Sequence, residues 1–204
     1  MKILVIDDSK NHRDSAVQTL AGHDLAVCSS YDEATKLLEV KYPGDDGTSK
    51  YGYRPSEGEK SLPYWDAVLC DLLMPASDEC QCDNWSGQEM PVGWSLALVA
   101  ASRGAKFVAV VTDMNHHKHP ASAMLDRIYK HTFVVDGAKM ILTNDVATVG
   151  IKGTENTCPQ CNGTKRCGCE DGGAGYECYG CRPEGIYYKE RGKDWGFVLE
   201  LLQK

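Results

Sequence analysis

Asp66-Ala-Val-Leu-Cys-Asp-Leu-Leu-Met-Pro75 is the stretch that decides how the chain is read. Val68, Leu69 and Cys70 make an apolar run too short for a helix, and Pro75 has no N–H with which to continue a ladder. The run therefore predicts a buried strand ending close to Asp71. In open parallel α/β sheets ligands sit beyond the carboxyl ends of the strands. A carboxylate delivered there needs a cation or hydrogen-bond donors, so Asp71 is a candidate for chemistry rather than packing.

Working back towards the start, Lys2-Ile-Leu-Val-Ile6 is a β-branched run that stops at Asp7-Asp8-Ser9. It predicts a central parallel strand with two acids at its tip, the partner that Asp71 requires. Ser9 caps a helix over residues 10 to 21, with Ala16, Val17 and Leu20 inward and Gly22 ending it. Leu25 to Cys28 reads as a second strand, and Ser30 caps a second helix carrying Ala34, Leu37 and Leu38. Residues 42 to 64 are rich in Gly, Pro, Asp and Ser and read as a surface insertion.

Working forward, a long loop over residues 75 to 91 leads to a helix at 92 to 103. Phe107-Val-Ala-Val-Val then makes a fourth parallel strand with Thr112 at its tip. After an amphipathic segment from Ala121 to Tyr129, Phe133-Val-Val and Lys139-Met-Ile-Leu-Thr143 flank Asp136-Gly137. These two runs read either as a hairpin or as an extension leading into a fifth strand. The closing segment, residues 194 to 204, places Trp195, Val198, Leu199 and Leu202 on one helical face and predicts the last helix of the α/β core.

The bulk numbers bound the answer. With 29 acids against 22 bases the net charge is -7, which argues against a surface built for nucleic acid or anionic lipid. No apolar run reaches the roughly 18 residues needed to span a bilayer, and the opening segment runs straight into acids, unlike a signal peptide. A cytoplasmic protein is the expectation. On that view the ten cysteines serve as metal ligands or reduced thiols.

Asp7-Asp8 at the first strand tip, Asp71 followed by Leu-Leu-Met-Pro at the third, and Thr112 at the fourth together resemble the receiver domain of bacterial response regulators. The resemblance covers about 1 to 145 plus 194 to 204. It implies a doubly wound, flavodoxin-like parallel sheet of five strands in the order 2-1-3-4-5. It also implies phosphotransfer to Asp71 from a histidine kinase or phosphotransfer protein, so that the chain is a phosphoacceptor rather than a turnover enzyme. Mg2+ would be held by Asp8, Asp71 and the main-chain carbonyl of Leu73, with Asp7 acting through water. Clustered carboxylates repel unless a hard cation sits between them, and magnesium prefers such oxygen ligands. The Thr112 hydroxyl would bond a phosphoryl oxygen. The family's lysine belongs at the tip of strand five, usually before proline, but no Lys-Pro occurs here. Lys139 is its candidate, lying past the strand end if Phe133 to Val135 is the strand and at the strand start if the second run is.

Cys158-Pro-Gln-Cys161 and Cys178-Tyr-Gly-Cys181 form two knuckles with the spacing of a tetrahedral structural Zn2+ site, leaving Cys167 and Cys169 as surplus. Cys161-Asn-Gly-Thr resembles the cysteine-rich zinc repeats of DnaJ-type co-chaperones. The organisation expected is thus a receiver-like domain over 1 to 149, an inserted zinc-binding module over 150 to 193, and the last helix of the domain. A second metal or redox site could draw on Cys80, Cys82, His116, His117 and His119, against the plainer reading of solvated loops. The alternative function is a receiver-like module that is never phosphorylated and that binds another protein; a third is an enzyme built on the Asp/His/Cys cluster.

Overall fold

The computed structural model describes residues 1–39, 65–75, 88–114, 117–128, 131–144, 146–156 and 187–204. Its elements are β1 Lys2–Ile6, α1 Lys10–Thr19, β2 Asp24–Cys28, α2 Tyr31–Leu38, β3 Ala67–Asp71, β4 Met74–Pro75, β5 Glu89–Met90, α3 Gly93–Ser102 and β6 Phe107–Val111. They continue with α4 Pro120–Leu125, β7 Thr132–Val135, β8 Ala138–Thr143, β9 Thr148–Gly150, β10 Glu155–Asn156, β11 Tyr187–Tyr188, β12 Arg191–Lys193 and α5 Trp195–Gln203. The central sheet has the order β2-β1-β3-β6-β8-β7. Its strands are parallel except at the β8–β7 edge.

The strand period of two sorts each central strand onto two cores. Leu4 and Ile6 of β1, with Val68, Cys70, Val108, Val110, Met140 and Leu142 of its neighbours, face α2, α3 and α4. Ile3, Val5, Ala67, Leu69, Ala109, Val111 and Ile141 face α1 and α5. Helices on both faces and apolar strands buried on both sides are the doubly wound arrangement expected of such runs. Within α5, Trp195, Val198, Leu199 and Leu202 are all buried in the second core.

Two expectations need correcting. The central sheet has six strands rather than five, because Thr132–Val135 folds back on β8 as an antiparallel edge strand while β8 pairs in parallel with β6. Asp136 and Gly137 both take positive φ, 49° and 84°, the pattern of a two-residue turn whose twist matches a hairpin. Val17, expected inward, is 57% exposed, since the polar stripe of α1 has docking work of its own. Among the described residues no helix is long and apolar enough to cross a membrane.

Candidate functional site

Asp7 follows the last residue of β1, Asp71 ends β3 and Thr112 follows β6, so three adjacent parallel strands bring these side chains to one edge of the sheet. All three are buried. Arg13 of α1 fastens the β1 tip by donating to the main-chain carbonyls of Asp7, at 2.8 Å, and Asp8, at 2.6 Å. The Thr112 hydroxyl accepts the Met114 amide at 3.1 Å, which turns it into its own loop in this state.

The cation at this edge is Lys193, the last residue of β12. Its ammonium donates to Asp7 Oδ2 at 2.8 Å and Asp71 Oδ1 at 2.6 Å, and it lies 3.5 Å from Asp113 Oδ1. The Lys193 side chain is wholly buried. Burial alone would lower its pKa, but the charges of Asp71, Asp7 and Asp113 outweigh that and hold the amine above its ordinary value. Burial pushes the Asp71 carboxyl up to about 7, against the pull of Lys193 and helped by the neighbouring Asp7 charge. Asp8, at the mouth of the site, is raised as well, first by burial and then by Asp7.

β12 reaches the site by docking on α1. It pairs antiparallel with β9, and the two lie against a polar stripe of the helix. The buried Ser15 hydroxyl is 2.8 Å from the carbonyls of both His12 and Lys193. Gln18 donates to the Gly150 carbonyl at 3.1 Å and accepts the Lys152 amide at 3.0 Å. A Cβ on Gly192 would stand 2.4 Å from the Asn11 carbonyl and from Ser15 Oγ, so only glycine lets the strand come this close. Trp195, which begins α5, completes the clasp by donating Nε1–H to the His12 carbonyl at 2.9 Å.

The structure does not bring Lys139 to the acids. Lys139 lies at the beginning of β8 opposite Phe107, while Asp71 is opposite Val111 at the other end of β6. Four strand residues separate those levels, about 13 Å. The sequence reading missed Lys193 because Arg191-Gly192-Lys193 has neither apolar pattern nor a following proline. The available signal was its place: it is the lysine next ahead of the closing helix.

Among the described residues no group of three or more His, Cys, Asp or Glu side chains is placed to share a metal ion. Both carboxylate oxygens of Asp7 are engaged, Oδ1 by the Ser9 amide at 2.9 Å and Oδ2 by Lys193. For magnesium the donors that fit in kind are therefore Asp8, Asp71 and the chain at Leu73, two residues beyond Asp71. Magnesium needs only one or two carboxylates because it keeps several waters. The elevated Asp8 carboxyl, crowded by Asp7, is the group a divalent cation would relieve. The zinc candidates Cys158, Cys161, Cys178 and Cys181 lie outside the described residues, as do Cys167, Cys169, Cys80, Cys82 and His116. His119 acts as a helix cap, its Nδ1 accepting the Ala121 amide at 3.1 Å. No family model, curated protein or solved structure matches the chain.

Proposed function

We propose that the chain is a signalling receiver whose phosphoacceptor is Asp71. The observation that carries the reading is the buried Lys193 ammonium held between Asp7 and Asp71 at neighbouring strand tips, one strand from Thr112. A deprotonated Asp71 oxygen attacks the phosphorus of a phosphohistidine on a kinase or phosphotransfer protein. The P–N bond breaks, an acyl phosphate forms, and the imidazole leaves with the electron pair and takes up a proton. Lys193 neutralises charge on the phosphoryl oxygens without having to move far, the kind of fixed electrostatic support on which phosphoryl transfer depends. Asp8, Asp71 and the Leu73 carbonyl would hold Mg2+, which supplies further charge neutralisation when bound. Thr112 would then leave the Met114 amide for a phosphoryl oxygen, a rearrangement a partner can read.

The cysteine knuckles are proposed to bind one structural Zn2+. Supporting this, the β10–β11 ladder sets Asn156 opposite Tyr187, so both ends of the cysteine-bearing segment start from one point. Mixing the protein with Mg2+ and a small phosphodonor, then weighing it intact, tests the main reading. A gain of one phosphoryl group that Asp71→Asn abolishes is the expected result. A second reading, a protein-binding module that is never phosphorylated, is favoured by the three carboxylates already within 3.5 Å of the Lys193 ammonium. It would be adopted if wild type shows no gain.

A further inference from the structure

Among the described residues, the His12 side chain touches both the main chain of Lys193 and the acid on its far side. Its Nδ1 accepts the Lys193 amide at 3.2 Å, while its Nε2 lies 3.2 Å from Asp113 Oδ2. A nitrogen that accepts an N–H cannot itself carry a hydrogen, so in the neutral ring the hydrogen sits on Nε2 and is donated to Asp113. Asp113 is more than half exposed and reaches Lys193 only at 3.5 Å, so the imidazole is what gives it a fixed place. That bond is also the first cause of the Asp113 carboxyl lying well below the usual carboxylate range. On the other flank the His12 carbonyl accepts Trp195 Nε1–H, and Ser15 Oγ reaches the same carbonyl. A single residue of α1 thus grips the strand before the lysine's side chain, the helix after it, and the loop facing it.

Resting on the receiver reading, we propose that His12 is a positioning residue for Lys193: through Nδ1 it sets the height of the lysine's backbone on α1, and through Nε2–H it parks Asp113 beside the ammonium. Asp113 is then the most loosely held of the three anions, and the one that an incoming phosphoryl group displaces from Lys193. While the phosphoryl group is bound, the imidazole retains Asp113 and keeps the freed carboxylate from swinging onto it.

The two ring nitrogens can be replaced separately, because asparagine puts an amide oxygen near the position of Nδ1 and glutamine puts an amide nitrogen near that of Nε2. Three variants, His12→Ala, His12→Asn and His12→Gln, are compared by the rate of Asp71 phosphorylation from a small phosphodonor, and by the NMR signal of the Lys193 ammonium, which is observable only while shielded from solvent exchange. A loss of position of ~1 Å costs about 100-fold in rate, so His12→Ala should lose between tenfold and that amount, with the ammonium signal broadened. His12→Asn should restore at least part of both, and His12→Gln, which keeps only a donor towards Asp113, should leave the ammonium signal broadened as in His12→Ala. Thermal melting identifies any variant that fails to fold, and an unfolded His12→Ala leaves the Asn and Gln pair to decide. Equal rates and unchanged ammonium signals in all variants would overturn the proposal, as would rescue by Gln and not by Asn. If wild type accepts no phosphoryl group but the ammonium signal still follows the Asn and Gln pattern, the receiver reading fails while the positioning role stands.

Discussion

Lys193 and Asp71 depend on one another, and both can be tested singly. Lys193→Met would leave two buried carboxylates without their cation, a change that costs about 3 to 5 kcal/mol when a buried pair is broken from one side. Adding Asp71→Asn should return part of that loss, because one of the stranded acids is then gone, and a double-mutant cycle by denaturant unfolding measures the recovery. Asp71 also fixes a pH dependence. Its folded pKa, about 7, lies above the unfolded value, so between about pH 4 and 7 the folded state holds a proton that the unfolded chain has released. The contribution of Asp71 to stability must therefore fall as pH rises through that window. Unfolding free energies of wild type relative to Asp71→Asn should show this decline, whereas a flat or rising difference would contradict it. Because only the carboxylate attacks phosphorus, acceptance should accelerate as pH rises through about 7 in single-turnover assays.

At the scale of elements, the site depends on how β12 lies on α1. The helix is polar on average, yet Ala16 and Leu20 bury on the sheet while His12, Ser15 and Gln18 bind β9 and β12. Gly192→Ala puts a methyl against a helix carbonyl, which the flexible end of a side chain cannot relieve. It is expected to destabilise by about 1 to 3 kcal/mol and to slow phosphorylation by lifting Lys193 away from Asp71. Ser15→Ala tests the same contact more gently. It should cost about 1 to 2 kcal/mol, since the Lys193 carbonyl loses the hydroxyl hydrogen while the His12 carbonyl keeps Trp195 Nε1–H, and chemical denaturation would show it. The last helix carries the apolar side of this joint: Trp195→Ala should cost about 3 to 5 kcal/mol, read as a lowered melting temperature.

For the whole molecule, the two small ladders β12–β9 and β10–β11 mean that the cysteine-bearing segment leaves and re-enters the α/β body through a closed stem. Replacing residues 157 to 186 by Asn-Gly should therefore leave the main fold intact. In zinc-free protein it should stabilise by about 2 kcal/mol, at ~0.6 kcal/mol per halving of the loop. Loss of the α/β circular dichroism would show that the segment is needed for the body to fold. Much of the body was legible in the sequence. The runs at Lys2 to Ile6, Ala67 to Asp71 and Phe107 to Val111 declare buried strands by composition and length, and the acids and threonine that end them declare a polar sheet edge, because strand period and apolar burial are local properties. The hairpin at Asp136-Gly137 was only half legible, since a turn signal does not say whether its second strand also joins a parallel neighbour. The cation was not legible from local pattern, only from its place ahead of the closing helix. Lys193 stands 122 residues from Asp71 in a short polar strand, and its place depends on a ladder with β9, a glycine-wide approach to α1 and the grip of His12. Each of those is a pairing between distant segments, to which no local periodicity corresponds; which lysine meets the acids was decided only when the chain packed.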